Sequence, residues 1–142
     1  MRFVITARPA DPTKPQSDAP PSDDLIAAYM KFNEEMHNAG VLVAAEGLTP
    51  GAPGARVGVS GGKRKVLDGP FTESKELVGG FYVLDVATLE EAKAWALRCP
   101  TGLGSDDILE IRQLTGSEDV PPEMVELTKK VAPNWSATLV KK

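Results

Sequence analysis

The chain has 142 residues, of which 42% are hydrophobic and 25% are charged, and this composition is typical of one globular domain with a buried core. The 20 acidic and 16 basic residues give a formal net charge of −4, so the basic surface of a nucleic-acid-binding protein is excluded. Cys99 is the only cysteine, which excludes an intrachain disulfide and a thiol cluster for metal and fits a reducing compartment.

The first predicted element is a strand at residues 3–7. Its apolar run is too short for a secretory signal or a membrane span, so we expect a cytoplasmic protein with no membrane partner. Prolines at positions 9, 12, 15, 20 and 21 then exclude a helix or a paired strand over the following loop.

The second predicted element is a helix that begins after Ser22. The Ser22 hydroxyl suits a helix N-cap, and Asp23 and Asp24 place negative charge at the positive end of the helix dipole. Gly40 predicts the end of this helix. The apolar residues between these limits recur at helical spacing: Leu25, Ala28, Tyr29, Phe32, Met36 and Ala39.

The middle of the chain predicts four strands and a second helix. An apolar strand at residues 41–46 ends in Glu46, and strands at 56–60 and 63–67 flank Gly61-Gly62, a pair suited to a primed hairpin turn. The segment 80–86 predicts the next strand. Thr88 and Glu91 then form a predicted capping box for a helix that ends before Pro100.

The last core strand is predicted at residues 108–114. The order is then strand, helix, strand, hairpin, strand, helix, strand, which is a split βαβ arrangement of the α+β class with an inserted β-hairpin. We therefore predict a domain at residues 1–114 and a C-terminal extension at 115–142. Pro121-Pro122 begins a predicted third helix, and the tail either docks through Trp135 and Leu139 or stays loose.

Side-chain alternation in the strand at 80–86 predicts the assembly. Phe81 and Val83 point to one face of the sheet, whereas Tyr82, Leu84 and Val86 point to the other, so both faces are apolar. Two helices cover only one face, and at about 25 cal/mol per Å² an open second face would forfeit several kcal/mol. We expect a homodimer whose two sheets pack face to face.

Three motifs carry a resemblance to a known family. They are Asp68-Gly69-Pro70-Phe71 with the charged run to Glu76, the doublets Gly79-Gly80 and Phe81-Tyr82, and the segment 91–96 before Cys99-Pro100. With them the first 114 residues resemble the YCII-related family, in its DGPF-domain branch. The resemblance implies a ferredoxin-like domain that dimerises through its sheets as a dimeric α/β barrel, and this agrees with the element order.

The resemblance does not supply a catalytic pair. Some classical YCII proteins carry a histidine early in the first helix, proposed to pair with an aspartate, but this chain has Tyr29 near that place. Its histidine, His37, comes two turns later at the helix end, where capping is the simpler role. DGPF relatives often occur beside, or fused to, sigma-factor-like transcription proteins, which implies a regulatory alternative.

Two carboxylates are the candidate catalytic groups. Asp68, held at a turn, would act as a general base if it were partly desolvated, although an aspartate before glycine commonly caps its own turn. Glu46 ends an apolar strand, where an inward carboxylate needs a partner or a ligand; solvent exposure is the simpler account. Together they would offer two separable pKa values for acid/base chemistry.

The candidate substrate-binding residues are Tyr29, Phe32, Phe71 and Lys75. Tyr29 and Phe32 lie one turn apart on the apolar helix face, where core residues are more common than pocket residues. Phe71 belongs to the Asp68 turn, and Lys75 is either a solvated charge or a contact for an anionic substrate.

No motif for a metal or a nucleotide is present. One histidine and one cysteine without a nearby acidic cluster do not form a metal site, and the glycines lack the strand-to-helix context of a phosphate loop. We therefore expect no cofactor and an unknown small organic ligand in a cleft between helix one, the Asp68 turn and the sheet. The function is either cofactor-independent acid/base catalysis of lyase, isomerase or hydrolase type, or non-catalytic binding and regulation.

Overall fold

The computed structural model describes residues 1–11, 13, 21–48, 54–69, 79–100 and 107–139, without the side chains of residues 137–139. Within these ranges the chain forms a mixed α+β fold with antiparallel sheets. The strands are β1 Arg2–Pro9, β2 Leu42–Gly47, β3 Ala55–Ser60, β4 Lys63–Asp68, β5 Gly80–Asp85 and β6 Asp107–Gln113. The helices are α1 Asp23–Asn38, α2 Leu89–Ala96, α3 Pro122–Val131 and α4 Pro133–Leu139, with a 3-10 turn at Ser117–Asp119.

The main sheet has four strands in the order β2-β5-β1-β6. The central strand β1 pairs antiparallel with β5 and β6, so that Ile5 lies between Tyr82 and Ile111. Directly opposed residues project to the same face of a sheet, and α1 and α2 cover the face that carries these three side chains. The alternation predicted for residues 81–86 is confirmed, with Leu84 at 0% exposure and Phe81 and Val83 half-buried on the other face.

The core lies between the covered face of the sheet and the two helices. Its buried residues come from three places: Phe3, Ile5, Leu84 and Val86 from the sheet and its end, Phe32 and Met36 from α1, and Ala92 and Cys99 from the α2 region. In this part of the chain a substitution that shortens a side chain leaves a cavity, because interiors are packed about as densely as organic crystals.

The helix starts follow the predicted caps. The Ser22 Oγ accepts a hydrogen bond from the Leu25 N–H at 3.2 Å, and the Thr88 Oγ1 accepts one from the Glu91 N–H at 3.1 Å. The reciprocal bond of the predicted capping box is shifted by one residue, because the Glu91 carboxylate accepts from the Ala87 N–H at 3.0 Å rather than from Thr88.

The second sheet is the β3–β4 hairpin. Gly61 and Gly62 both have positive φ angles, 60° and 74°, as a type I′ turn requires. Every residue of β3 and β4 is exposed. Alternation groups Val57, Val59 and Val66 on one side of this hairpin as an exposed apolar stripe.

The C-terminal extension begins directly after β6. The Leu114 N–H donates to the Arg2 carbonyl at 2.8 Å, and α3 and α4 follow the 3-10 turn. Trp135, one of the two residues predicted to anchor the tail, is 60% exposed, and the Leu139 side chain lies outside the described residues. Among the helices described, none is long and apolar enough to cross a membrane.

Candidate functional site

A cavity of about 390 Å³ lies between α1 and the covered face of the main sheet, and we call it the α1–sheet cavity. Its volume falls in the range of small-molecule sites. The residues around it are Ile5, Ala7, Tyr29, Asn33, Ala45, Glu46, Gly47, Gly79, Gly80, Phe81, Tyr82 and Leu109.

The cavity exists because one row of the sheet lacks large side chains. Gly47 pairs with Gly80, Gly80 with Ala7, and Ala7 with Leu109, so three of the four positions in this row are glycine or alanine. The strands also approach closely here, since a Cβ on Gly80 would lie 2.8 Å from the Glu46 carbonyl oxygen. Any larger residue at position 80 would push β2 away from β5 and change the wall of the cavity.

Helix α1 forms the opposite wall. Tyr29 and Asn33 are four residues apart, so they project from the same side of the helix over the cavity. The Asn33 Oδ1 is buried, and it has no hydrogen-bond partner among the described residues. A buried amide oxygen without a partner costs about 1–3 kcal/mol, so this atom is a ready acceptor for a donor group on a ligand.

Tyr82 supplies a neutral hydroxyl to the sheet side of the cavity. Burial raises the pKa of Tyr82 well above the ordinary tyrosine value of 10.0, and nearby Cys99 and Tyr29 raise this pKa further. Its ring meets the Phe32 ring edge to face, with centroids 5.7 Å apart. The hydroxyl therefore stays protonated at physiological pH and serves to bind rather than to abstract a proton.

The predicted site residues are only partly brought together. Tyr29 lines the cavity, whereas Phe32 is 5% exposed and packs behind it against Tyr82 and Trp95, as the core alternative predicted. Glu46 borders the cavity but pairs with Phe81, and strand alternation directs its side chain to the face opposite α1.

Asp68 is exposed at the end of β4, opposite Ala55, and it is not among the described residues that line the cavity. Phe71 and Lys75 lie outside the described residues. The part of the predicted cleft formed by helix one and the sheet is therefore visible, and the part assigned to the Asp68 turn stays a prediction.

Two residues that line the cavity, Asn33 and Tyr82, are not among the candidates that the sequence indicates. Asn33 was overlooked because asparagine within an amphipathic helix reads as a polar surface position, although it follows Tyr29 by one turn. Tyr82 was assigned only to an apolar face. Gly47 follows one predicted strand and Gly80 begins another, and only the strand register reveals that they face each other.

The arrangement offers hydrogen bonds and apolar surface rather than a metal centre. Within the described ranges, no group of three histidine, cysteine or carboxylate side chains is placed to hold a metal ion. The polar groups that border the cavity are two phenols, one amide, the peptide groups of the glycine row and Glu46, whose side chain is directed to the face opposite α1. This chemistry suits an uncharged, partly apolar guest.

Comparisons with known proteins bear on the first 115 residues. The YCII-related domain family matches residues 1–115. A protein of Rhizobium meliloti (strain 1021) is 36% identical over 99 residues, which is 70% of this chain and 69% of that protein. The match to the family covers every residue of the α1–sheet cavity and stops before α3.

The comparisons also include a solved structure. It is the 5-chloro-2-hydroxyhydroquinone dehydrochlorinase TftG from Burkholderia phenoliruptrix AC1100, in complex with 2,5-dihydroxybenzoquinone. The two chains are 17% identical, the comparison covers 85% of this chain and 100% of that chain, and the TM-score is 0.42.

Proposed function

The chain belongs to the YCII-related domain family, and from this premise we propose that it binds a small uncharged organic molecule in the α1–sheet cavity. The ligand would present a planar apolar body to Ile5, Ala45 and Leu109, and a hydrogen-bond donor to Asn33. Tyr29 and Tyr82 would add phenol hydroxyls that can donate or accept.

The observation that carries this proposal is the buried Oδ1 of Asn33. Buried polar atoms are nearly always hydrogen-bonded, and an exception beside a cavity of ligand size marks a place where a guest completes the bonding. An anion would meet no cationic side chain among the residues that line this cavity, so it would lose its hydration without compensation.

Acid/base catalysis is the finer form of the proposal, with Glu46 or Asp68 as the proton-transferring group. Glu46 supports this form because it borders the cavity, although its carboxylate would have to act on a part of the ligand that extends past the edge strand β2. The role of Asp68 rests on the sequence motif alone. If Glu46→Gln still binds the ligand but no longer exchanges protons with it, Glu46 is the proton-transferring group.

The assembly and the fold subtype are part of the proposal. The strand order β2-β5-β1-β6 supports a ferredoxin-like domain. Half-buried Val4, Phe81 and Val83 on the face opposite α1 support a homodimer in which a second sheet covers this face, as in a dimeric α/β barrel. Assignment to the DGPF branch and a cytoplasmic location remain sequence-based predictions.

The test uses phenol and benzamide as uncharged aromatic donors and benzoate as the anionic counterpart, measured by saturation-transfer NMR. The wild-type protein should give saturable signals with phenol and benzamide and weaker ones with benzoate. Asn33→Leu removes the acceptor, and Ala7→Leu fills the glycine–alanine row, so both variants should lose these signals.

The matched control is Asn38→Leu, which makes the same substitution at an exposed position of the same helix and should bind like the wild type. Equal signals in Asn33→Leu, Ala7→Leu and Asn38→Leu would show that the probes bind elsewhere, and this result would remove the proposal.

A further inference from the structure

A second cavity, of about 630 Å³, separates the C-terminal extension from the opposite end of the main sheet. We call it the C-terminal cavity. One wall contains Arg2 and Asp85, which are paired across β1 and β5, and the other contains residues of α3 and α4. Because α3 and α4 follow residue 115, this cavity joins the family domain to a segment outside the family match.

Arg2 is the unusual group in this wall. Its side chain is half-buried, and it makes no ion pair with any described residue. The carboxylate opposite it in the sheet, Asp85, lies 3.3 Å from the terminal amine of Met1 instead. A guanidinium that is partly removed from water without a counterion loses hydration, and a planar carboxylate is the partner that its donors fit best.

The other charges around this cavity limit the ligand to a single negative charge. Lys129 is already paired with Glu126 at 2.7 Å and the Met1 amine with Asp85 at 3.3 Å, so Arg2 is the one unpaired cation among the described residues that line this cavity. Glu118 and Asp85 add negative charge, and a second anionic group on the ligand would be repelled.

Large apolar side chains form much of the remaining lining. Leu114, Val120, Met124, Val125 and Trp135 surround the space, and Met124 and Trp135 are 54% and 60% exposed in this chain. An apolar ligand that covers these exposed side chains removes their apolar surface from water, and this burial favours binding.

From these observations we propose that the C-terminal cavity binds a small organic carboxylate with an apolar body, which Arg2 holds by its carboxylate. The apolar body lies against α3 and Trp135. This ligand differs from the uncharged molecule of the α1–sheet cavity, and the proposal does not depend on that site.

Octanoate and 1-octanol test the proposal by isothermal titration calorimetry, because they share an alkyl chain and differ in charge. The wild-type protein should bind octanoate at least about tenfold more tightly than 1-octanol, which corresponds to one charge-assisted contact. Arg2→Gln should remove this difference. Arg112→Gln is the matched control, since Arg112 is exposed on the same face of the neighbouring strand and does not line the cavity.

Equal octanoate affinity in the wild type and in Arg2→Gln would overturn the proposal, as would the absence of saturable octanoate binding to the wild type. A second measurement covers the case in which Arg2→Gln fails to fold. The bromine of 8-bromooctanoate should quench tryptophan fluorescence through Trp135, so Trp135→Phe should lose most of the quenching and Trp95→Phe should keep it. The opposite pattern would place the ligand near α2 and refute the site.

Discussion

The substitution Asn33→Leu should stabilise the protein while it abolishes binding in the α1–sheet cavity. The Asn33 Oδ1 is buried without a partner among the described residues, and such an atom costs about 1–3 kcal/mol. Leucine removes this cost, keeps the same branched side-chain skeleton and gains a few tenths of a kcal/mol in helix propensity. Because Asn33 as a whole is only half-buried, we expect the lower part of the range, an increase of about 1–2 kcal/mol in the free energy of unfolding.

Urea unfolding followed by circular dichroism measures this change, and thermal unfolding should show a rise of about 2–4 °C per kcal/mol for a chain of this size. Asn38→Leu, at an exposed position of the same helix, should stay within about 0.5 kcal/mol of the wild type. A loss of stability in Asn33→Leu would show that the amide is already satisfied in the free protein. The inference that Asn33 is kept for a ligand would then fail.

Four further predictions concern ionisation, packing, capping and assembly. Burial raises the pKa of Tyr82 above the usual 10.0, so the folded state holds this proton longer than the unfolded state. Tyr82 should therefore add no pH dependence to the free energy of unfolding below pH 10, and above it the free energy of unfolding should fall by at most about 1.4 kcal/mol per pH unit. Urea titrations of Tyr82→Phe should lack this pH-dependent loss. Leu84→Ala, at a position with 0% exposure, should lower the free energy of unfolding by about 2–5 kcal/mol in urea; a loss below about 1 kcal/mol would contradict the packing described. Thr88→Ala should lower the free energy of unfolding by about 1 kcal/mol in the same assay, because the hydrogen bond from the Glu91 N–H is lost. Thr88→Ser should restore most of this loss, and no recovery would show that the side-chain cap does not stabilise α2. Light scattering should show a dimer that Val83→Lys converts to a monomer, whereas a wild-type monomer at micromolar concentration would refute the face-to-face assembly.

The sequence was sufficient for the six strands and for α1 to α3, which carry local chemical signatures, but it did not predict α4. Ser22 and Thr88 carry hydroxyls at helix starts, Gly61-Gly62 has the freedom of a primed turn, and alternation in β5 separates Val83 from Leu84. These signals act between residues close together in the chain. They were therefore readable without knowledge of the tertiary pairing.

The site was harder to predict because it depends on register between strands far apart in the chain. That Gly47 lies opposite Gly80, and Gly80 opposite Ala7, follows from pairing between β2, β5 and β1, which no local pattern reveals. The dense charged residues near position 68 made that segment the predicted site. Of the two predicted carboxylates, only Glu46 borders the described cavity, whose other polar side chains are one amide and two phenols.

The two cavities are placed so that each can be occupied without the other. Ala7 of the α1–sheet cavity and Arg2 of the C-terminal cavity are five residues apart on β1, which is about 16 Å along a strand, and alternation puts them on opposite faces. The buried side chains of Phe3 and Ile5 lie between them in the chain. A ligand in one cavity therefore touches neither the walls nor the charges of the other, and Asn33→Leu should leave octanoate binding unchanged just as Arg2→Gln should leave phenol binding unchanged. Loss of both ligands in either variant would mean that the sheet itself has shifted, because it is the element that the two cavities share.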